Sequence, residues 1–193
     1  FRKKLLYVLT EDWFFCSHFF ERALAAKKNG YDVTIAVREN EHREIIRSFG
    51  FKFIHVPFNR KSINPFSELL IIIYLVKIYR EVRPDILHHV STKPIFYGTI
   101  AALITGISNI VNAPIGMGYV YSSSDLKAKI LRPLVTHGYR KLLNTKSSHV
   151  IVENSDDFKY VVKKGMVKKN SISLIRGAGI DLKKFTANDD EPS

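Results

Sequence analysis

Between Leu5 and Ile175 the chain alternates short, β-branched apolar runs with longer stretches of helical period, and two strand-like runs never follow one another directly. Strand patterns occupy Leu5–Leu9, Asp32–Val37, Lys52–Val56, Asp85–Val90, Ile110–Ala113, Val150–Val152 and Ile172–Ile175. Helical patterns fill the intervals at Phe14–Lys28, Glu41–Phe49, Ser67–Val82, Ile95–Thr105, Leu126–Leu143 and Asp156–Lys164, with Gly30, Gly50, Pro84, Gly106 and Gly165 as stop signals. Strands joined through helices run parallel by right-handed crossovers, and a parallel sheet needs cover on both faces. The expected fold is therefore α/β: a doubly wound, mainly parallel seven-stranded Rossmann-like sheet with helices on both faces. Ligands of such sheets bind beyond the carboxyl ends of the strands. That rule directs attention to five loops: Thr10–His18, His88–Pro94, Asn112–Tyr121, Glu153–Asp157 and Arg176–Asp181.

A length of 193 residues suits one domain with a full core. Its formal charge of +12 is unusual, and the stretch from Lys159 to Lys184 is rich in Lys and Arg with Asp181 as its one acid. Such a field attracts phosphate-rich partners: nucleic acid, an anionic membrane surface or a phosphorylated small molecule. The single cysteine, Cys16, excludes an intrachain disulfide framework and fits a reducing compartment. Basic Arg2 to Lys4 followed by Leu5 and Leu6 resembles the start of a signal peptide, but the apolar run stops at Leu9 and Glu11 and Asp12 follow. The longest apolar run, Leu69 to Val76, has eight residues, far short of the ~20 that a membrane-spanning helix needs.

The first strand-end loop, "TEDWFFCSH", lacks the Gly-x-Gly-x-x-Gly of a dinucleotide fold. It does gather Glu11, Asp12, Ser17 and His18 where a helix N-terminus offers amides to an anion. Asp12 reads equally as a helix cap and as a ligand contact, while Trp13, Phe14 and Phe15 beside His18 form a candidate apolar wall. The fourth loop, "HHVSTKP", supplies a candidate base, hydroxyls and a cation. His88 and His89 must face opposite sides of their strand, so only one of them can reach a site. Lys93, in that loop, is either solvated or set against an anion. In the fifth loop Gly116 and Gly118 permit close backbone approach to a ligand, or simply a turn. No His/Cys cluster has metal-ligand spacing, and no Gly-x-Ser-x-Gly elbow is present, so neither a metal nor a cofactor is expected.

Five stretches, in order, resemble the N-terminal domain of retaining GT-B glycosyltransferases of family 4, in the branch that builds bacterial surface polysaccharides and lipid-linked oligosaccharides. They are "TEDWFFCSHFFERALAAKKNGYDV", "RPDILHHVSTKPIFYGTIAA", "VNAPIGMGYVY", "VIVENSDD" and "LIRGAGIDLKKF". The last is similar to the family's interdomain element, usually written with Pro-Asn-Gly where this chain has Arg176-Gly177-Ala178-Gly179. The resemblance implies an acceptor-binding unit over residues 1–175 and a hinge over 176–193, leading to a C-terminal donor domain that this sequence lacks. It implies catalytic positions at His89 and Lys93. It implies substrate-binding positions at Glu11, Asp12, Ser17, His18, Thr92, Gly116, Gly118, Glu153 and Asn154, with Cys16 to His18 close to the donor diphosphate. The implied partners are a nucleotide-sugar donor held mainly by the other domain and a lipid-linked or saccharide acceptor, with no nucleic acid. The implied location is cytoplasmic, peripheral on the inner face of the plasma membrane.

Two membrane-contact surfaces are candidates. Arg60 and Lys61 precede the apolar helix near Ser67, which reads more readily as core. Lys127, Lys129, Arg132, Arg140 and Lys141 stud the helix over Leu126–Leu143, where a solvated face and a lipid-facing one are equally compatible with the pattern. Two readings of other kinds remain: a basic, non-enzymatic module for nucleic acid, and a GT-B nucleotide-sugar epimerase.

Overall fold

A computed structural model describes residues 2–60, 62, 64–115, 121, 124–146 and 148–177. The described strands are β1 (Lys4–Glu11), β2 (Asp32–Arg38), β3 (Lys52–His55), β4 (Ile86–Val90), β5 (Ile110–Ala113), β6 (Ser148–Val152) and β7 (Ile172–Leu174). They form one sheet in the order β3-β2-β1-β4-β5-β6-β7, with every neighbouring pair parallel. The helices are α1 (Asp12–His18), α2 (Phe20–Lys28), α3 (Arg43–Ser48), α4 (Pro65–Val82), α5 (Thr92–Thr105), α6 (Leu126–Leu142) and α7 (Ser155–Lys163). The expected α/β doubly wound architecture is thus the one observed.

β1 explains the sheet's centre. It is flanked by β2 (Leu5 opposite Val33) and by β4 (Leu5 opposite Ile86), and it is covered on both faces. Leu5 to Leu9 are consequently all buried, which is why the run is apolar throughout instead of alternating. On the first face, Tyr7 and Leu9 pack with Phe15, Phe19 and Ala23 of the first two helices and with Ile46 of α3. On the second face, Leu6 and Val8 pack with Ile71, Leu75, Ile78 and Tyr79 of α4 and with Ala101 and Ala102 of α5. A third cluster continues that face over β6 and β7, joining Ile95, Tyr139, Leu143, Val150, Val152, Val161 and Ile172.

Three local differences from the sequence pattern have physical causes. The expected helix Phe14–Lys28 is two helices broken at Phe19, whose φ of −118° leaves the helical range. Just before the break, the Ser17 hydroxyl donates to the Trp13 carbonyl at 2.9 Å, a back-bond that competes with the helix ladder and bends it. Helix α4 starts earlier than expected, because Asn64 caps it by accepting from the Phe66 N–H at 3.0 Å and Pro65 fits its first position. That helix also departs from the core reading. Ile71, Leu75, Ile78 and Tyr79 are buried, but Phe66, Leu69, Leu70 and Ile73 form an apolar stripe 54–80% exposed.

No helix among the described residues is long and apolar enough to cross a membrane. Gly116, Gly118, Lys61 and residues 178–193 of the expected hinge lie outside the described residues, as does the Lys127 side chain.

Candidate functional site at the carboxyl edge of the sheet

At the end of β1, Asp12 is fully buried and accepts four hydrogen bonds. Its Oδ1 takes the Trp13 N–H at 2.7 Å and the Asn40 amide at 2.9 Å; its Oδ2 takes the backbone N–H of Asn40 at 2.7 Å and of His42 at 3.1 Å. Burial alone would raise its pKa, but these donors outweigh it and hold the carboxyl below its ordinary value. Glu11, also buried, accepts from the same Asn40 amide at 3.0 Å. Both carboxylates are therefore spent on bracing the loop after β2. Asp12, read as a cap or a ligand contact, is the first residue of α1 after the N-cap Glu11, and its carboxylate braces the loop after β2.

Ser17 and His18 remain exposed on α1. The Ser17 hydroxyl lies 2.7 Å from His18 Nδ1, and the imidazole packs on the Phe14 ring with centroids 4.5 Å apart. Phe14 and the 44%-exposed Trp13 supply the apolar wall anticipated for this loop, whereas Phe15 turns into the core. Cys16 is half-buried, and burial, assisted by the charge of Asp12, pushes its thiol up to about 11, so it stays protonated.

At the end of β4 the two histidines do face opposite ways, but both are covered. His89 is fully buried on the second face. Its Nδ1 lies 3.0 Å from Asn112 Oδ1, an acceptor only, so Nδ1 carries the proton and Nε2 accepts from the Tyr79 hydroxyl at 2.8 Å. The Asn112 amide passes the chain on to Ser148 Oγ at 2.9 Å. Helix α5 closes over this network at Gly98, where an added Cβ would come within 2.6 Å of His89 Nε2. Burial holds the His89 pKa down, to about 4. The His89 side chain, expected to be catalytic from the resemblance, lies in this structure as a buried group with both ring nitrogens hydrogen-bonded. His88 lies on the first face, stacked on Tyr7 at 4.9 Å, with its Nε2 shielded and unpartnered. Burial, with neighbouring His89 and Arg22 adding to it, lowers its pKa to about 3.

Lys93 is not in a loop. It lies in the first turn of α5, and its ammonium donates to the Asn59 and Ser62 carbonyls at 2.7 Å each and to Glu68 at 2.5 Å. The anion it meets is this chain's own, and its role is to tie the loop after β3 to the start of α4. Thr92 bonds the Tyr139 hydroxyl at 2.9 Å and so fixes α5 to α6. Asn154 caps α7 by accepting from the Asp157 N–H at 2.7 Å. His18 stands on α1, which packs on one face of the sheet, whereas His89 and Lys93 bond to residues on the face that α4 and α5 cover.

Two features escaped the sequence reading. Arg22, on α2, reaches Glu153 at 2.5 Å and the Gly177 carbonyl at 2.7 Å, joining the first crossover to the ends of β6 and β7. A lone arginine among the cations of a helix carries no signal of such a reach. Ser91, between β4 and α5, has φ 75° and ψ 166°, a region that only glycine occupies without strain. Strained backbone at the end of a central strand is the kind of feature found where a fold holds a ligand, and no residue type announces it.

Ser17 and His18 are thus exposed polar groups at the end of β1, with the mostly buried Arg22–Glu153 pair beside the path out of β7. A concavity of about 700 Å³ opens at the opposite edge around Asp85, Asn109 and His149, away from where ligands of such sheets bind. Among the described residues no group of three or more His, Cys, Asp or Glu is placed to hold a metal ion.

A family model described as glycosyl transferase 4-like matches residues 4–154. A curated relative, the N,N'-diacetylbacillosaminyl-diphospho-undecaprenol alpha-1,3-N-acetylgalactosaminyltransferase of Campylobacter jejuni, is 30% identical over 165 residues. That alignment covers 85% of this chain and 43% of the relative, so the chain spans less than half of the relative's length. Among solved structures, a glycosyltransferase from Rickettsia africae superposes with a TM-score of 0.63 at 15% identity, covering 91% of this chain and 43% of that one. A putative UDP-N-acetylglucosamine 2-epimerase from Listeria monocytogenes superposes with a TM-score of 0.68 at 14% identity, covering all of this chain and 50% of that one. At these identities the structural likeness concerns the fold.

Proposed function

This chain belongs to the glycosyl transferase 4-like family, and on that premise we propose that it forms the acceptor-side half of a retaining glycosyltransferase. The enzyme would move a sugar from a nucleotide-sugar donor to a lipid-linked or saccharide acceptor. The observation that carries this reading is the extent of the family match, which runs from the first residue of β1 to Asn154, the cap of α7. The C. jejuni relative, named for an acceptor on diphospho-undecaprenol, supports a lipid-linked acceptor.

In this reading residues 1–175 are the acceptor unit, and the segment from Arg176 leads into a second unit that holds most of the nucleotide. Transfer separates a nucleoside diphosphate from an electron-poor sugar carbon, so the cleft must stabilise the leaving phosphates and hold an acceptor hydroxyl on the same face. On this side of the cleft, the exposed Ser17 and His18 would make such contacts, with Arg22 held nearby by Glu153. Gly116 and Gly118 remain in the proposed acceptor loop. The other expected positions act indirectly: Glu11, Asp12 and Lys93 by bracing loops, and His89, Thr92 and Asn154 by fixing the strands and helices that carry them. A lipid-linked acceptor places the protein at the inner surface of the plasma membrane, and the exposed apolar stripe of α4 supports that placement.

The test supplies the full-length enzyme with nucleotide sugars and a diphospho-polyprenol acceptor. Transfer of the sugar to the lipid is expected, along with no turnover by the 193-residue chain alone. Interconversion of nucleotide sugars without any acceptor would instead establish an epimerase, which has the same fold. Turnover by the isolated chain would remove the two-unit reading.

A further inference from the structure

The chain leaves β7 along the end of β6. Beyond Leu174, the Ile175 N–H extends the ladder by donating to the Val152 carbonyl at 2.9 Å, and the Gly177 N–H donates to the Glu153 carbonyl at 3.3 Å. Gly177 has φ 56°, a left-handed conformation that glycine takes without strain, so the backbone turns there. Its carbonyl accepts from Arg22 Nη2 at 2.7 Å, and the same Nη2 donates to Glu153 Oε1 at 2.5 Å. Gly177 is therefore gripped at both its N–H and its carbonyl, and the Glu153 side chain aims the group that holds the carbonyl.

Arg22 also reaches back towards the end of β1. Its guanidinium carbon stands 5.0 Å over the Phe19 ring. Phe19 is fully buried, marks the break between α1 and α2, and directly follows the exposed Ser17 and His18. One side chain thus touches both the segment next to those polar groups and the backbone by which the chain continues. A brace for the sheet alone would need no more than the Arg22–Glu153 pair. The bond to Gly177 adds a grip on backbone beyond the last strand. The two side chains are only 24% and 17% exposed, so the surrounding protein restricts their motion more than it would at a surface ion pair.

We propose that Arg22 is a positioning residue. By holding the Gly177 carbonyl against the break between α1 and α2, it sets the angle at which the chain enters the second unit, and with it the spacing between that unit and Ser17 and His18. The inference rests on the transferase reading for the existence of the second unit. The physical argument is leverage: a small rotation at Gly177 grows with distance, and a displacement of about 1 Å at reacting atoms costs on the order of a hundredfold in rate. Arg22 itself touches no reacting atom in this role. It acts through the direction of the backbone.

Small-angle scattering of the full-length enzyme, without substrate, reads the spread of distances between the units, and steady-state kinetics read the consequence. Arg22→Ala should broaden that spread and lower kcat roughly tenfold to a hundredfold, while KM for the lipid-linked acceptor stays near the parent value. Arg22→Lys keeps a cationic donor and should recover part of kcat. Glu153→Gln keeps the shape and loses the aiming charge. It should move both readouts in the same direction, and it decides the matter if Arg22→Ala does not fold. Lys27→Ala is the control. Lys27 also lies on α2 and donates to the Phe49 and Gly50 carbonyls at 2.6 and 3.0 Å, but these bonds end at the loop after α3, so neither readout should move. An unchanged spread in Arg22→Ala overturns the proposal, and turnover lost without a change in spread makes Arg22 a substrate contact instead. Equal effects in Lys27→Ala would mean a general loosening of α2 and overturn it too. A full-length protein that loosens in Arg22→Ala but transfers no sugar would sink the transferase reading and leave the positioning role standing.

Discussion

Arg22 and Glu153 lie 131 residues apart in sequence and 2.5 Å apart in space, at the exit of the central and outer strands. Because Arg22 also holds the Gly177 carbonyl, one guanidinium fixes α2, the end of β6 and the backbone beyond β7. Both side chains are about four-fifths buried, so removing either leaves a poorly hydrated charge. Arg22→Ala should lower stability by about 1–3 kcal/mol in urea unfolding. Arg22→Lys keeps the charge but not the two-pronged geometry and should fall between. An unchanged midpoint in Arg22→Ala would show the pair to be incidental.

Lys93 gives the clearest separation of the sequence reading from the structural one. A loop lysine in a substrate site would cost activity and spare the fold. A lysine bound to Asn59, Ser62 and Glu68 should instead cost about 2 kcal/mol when replaced by alanine, because Glu68 is left mostly buried without its partner. The same substitution should free the loop after β3, which tryptic cleavage at Arg60 would report as a faster cut.

The buried histidines predict a pH dependence with a definite sign. Folding holds His89 at about 4 and His88 at about 3, below the ordinary 6.5, so the unfolded chain binds more protons through that range. Their contribution is fully present above pH 6.5 and is lost as pH falls towards the folded values, by up to ~1.4 kcal/mol per pH unit for each histidine. Asp12 acts lower, since its depressed carboxyl withdraws stability only below its ordinary 3.8. Urea midpoints between pH 7 and pH 4 should therefore fall, and His89→Gln should reduce the slope.

Gly98→Ala addresses the same network from the helix side. The new Cβ would sit 2.6 Å from His89 Nε2, so α5 must lift or the Tyr79–His89 bond must break. A loss of about 1–3 kcal/mol is expected from such overpacking, measured by thermal or urea unfolding.

Ser91→Gly should move in the opposite direction. At φ 75° and ψ 166° a serine is strained by about 1–3 kcal/mol, and glycine removes that strain while adding ~0.5–1 kcal/mol of unfolded-state entropy. A net gain of roughly 1 kcal/mol is expected, and Ser91→Val should be less stable than the parent. If the strain positions Thr92 and its neighbours for substrate, Ser91→Gly in the full-length enzyme will gain stability and lose turnover.

The strands, their parallel direction and the helices between them were legible because each element's period and stop signals act locally. The family resemblance was legible for a different reason, since five ordered blocks rarely recur together by chance. The site was less so. Period-two alternation shows that His88 and His89 face opposite ways, but not that α5 seals one while Tyr7 and Phe19 enclose the other, because those covers come from distant segments. Lys93 looked available for the same reason: its acceptors Asn59 and Ser62 lie more than 30 residues away. Helix α4 misled by being apolar all round from Leu69 to Val76, so nothing in its pattern could tell the stripe that meets the sheet from the one left outside.

The placement of β1 at the sheet's centre also has a consequence for synthesis. β1 and β2 can pair once Arg38 has left the ribosome, but the other edge of β1 waits for Ile86 to Val90. At ~5–20 residues per second, that interval lasts for seconds. For that time the most apolar strand of the chain exposes a ladder edge, with the hydrophobic faces of α4 emerging beside it. Speed of translation between residues 38 and 90, and the chaperones that meet the chain there, should therefore govern how much soluble protein a cell recovers.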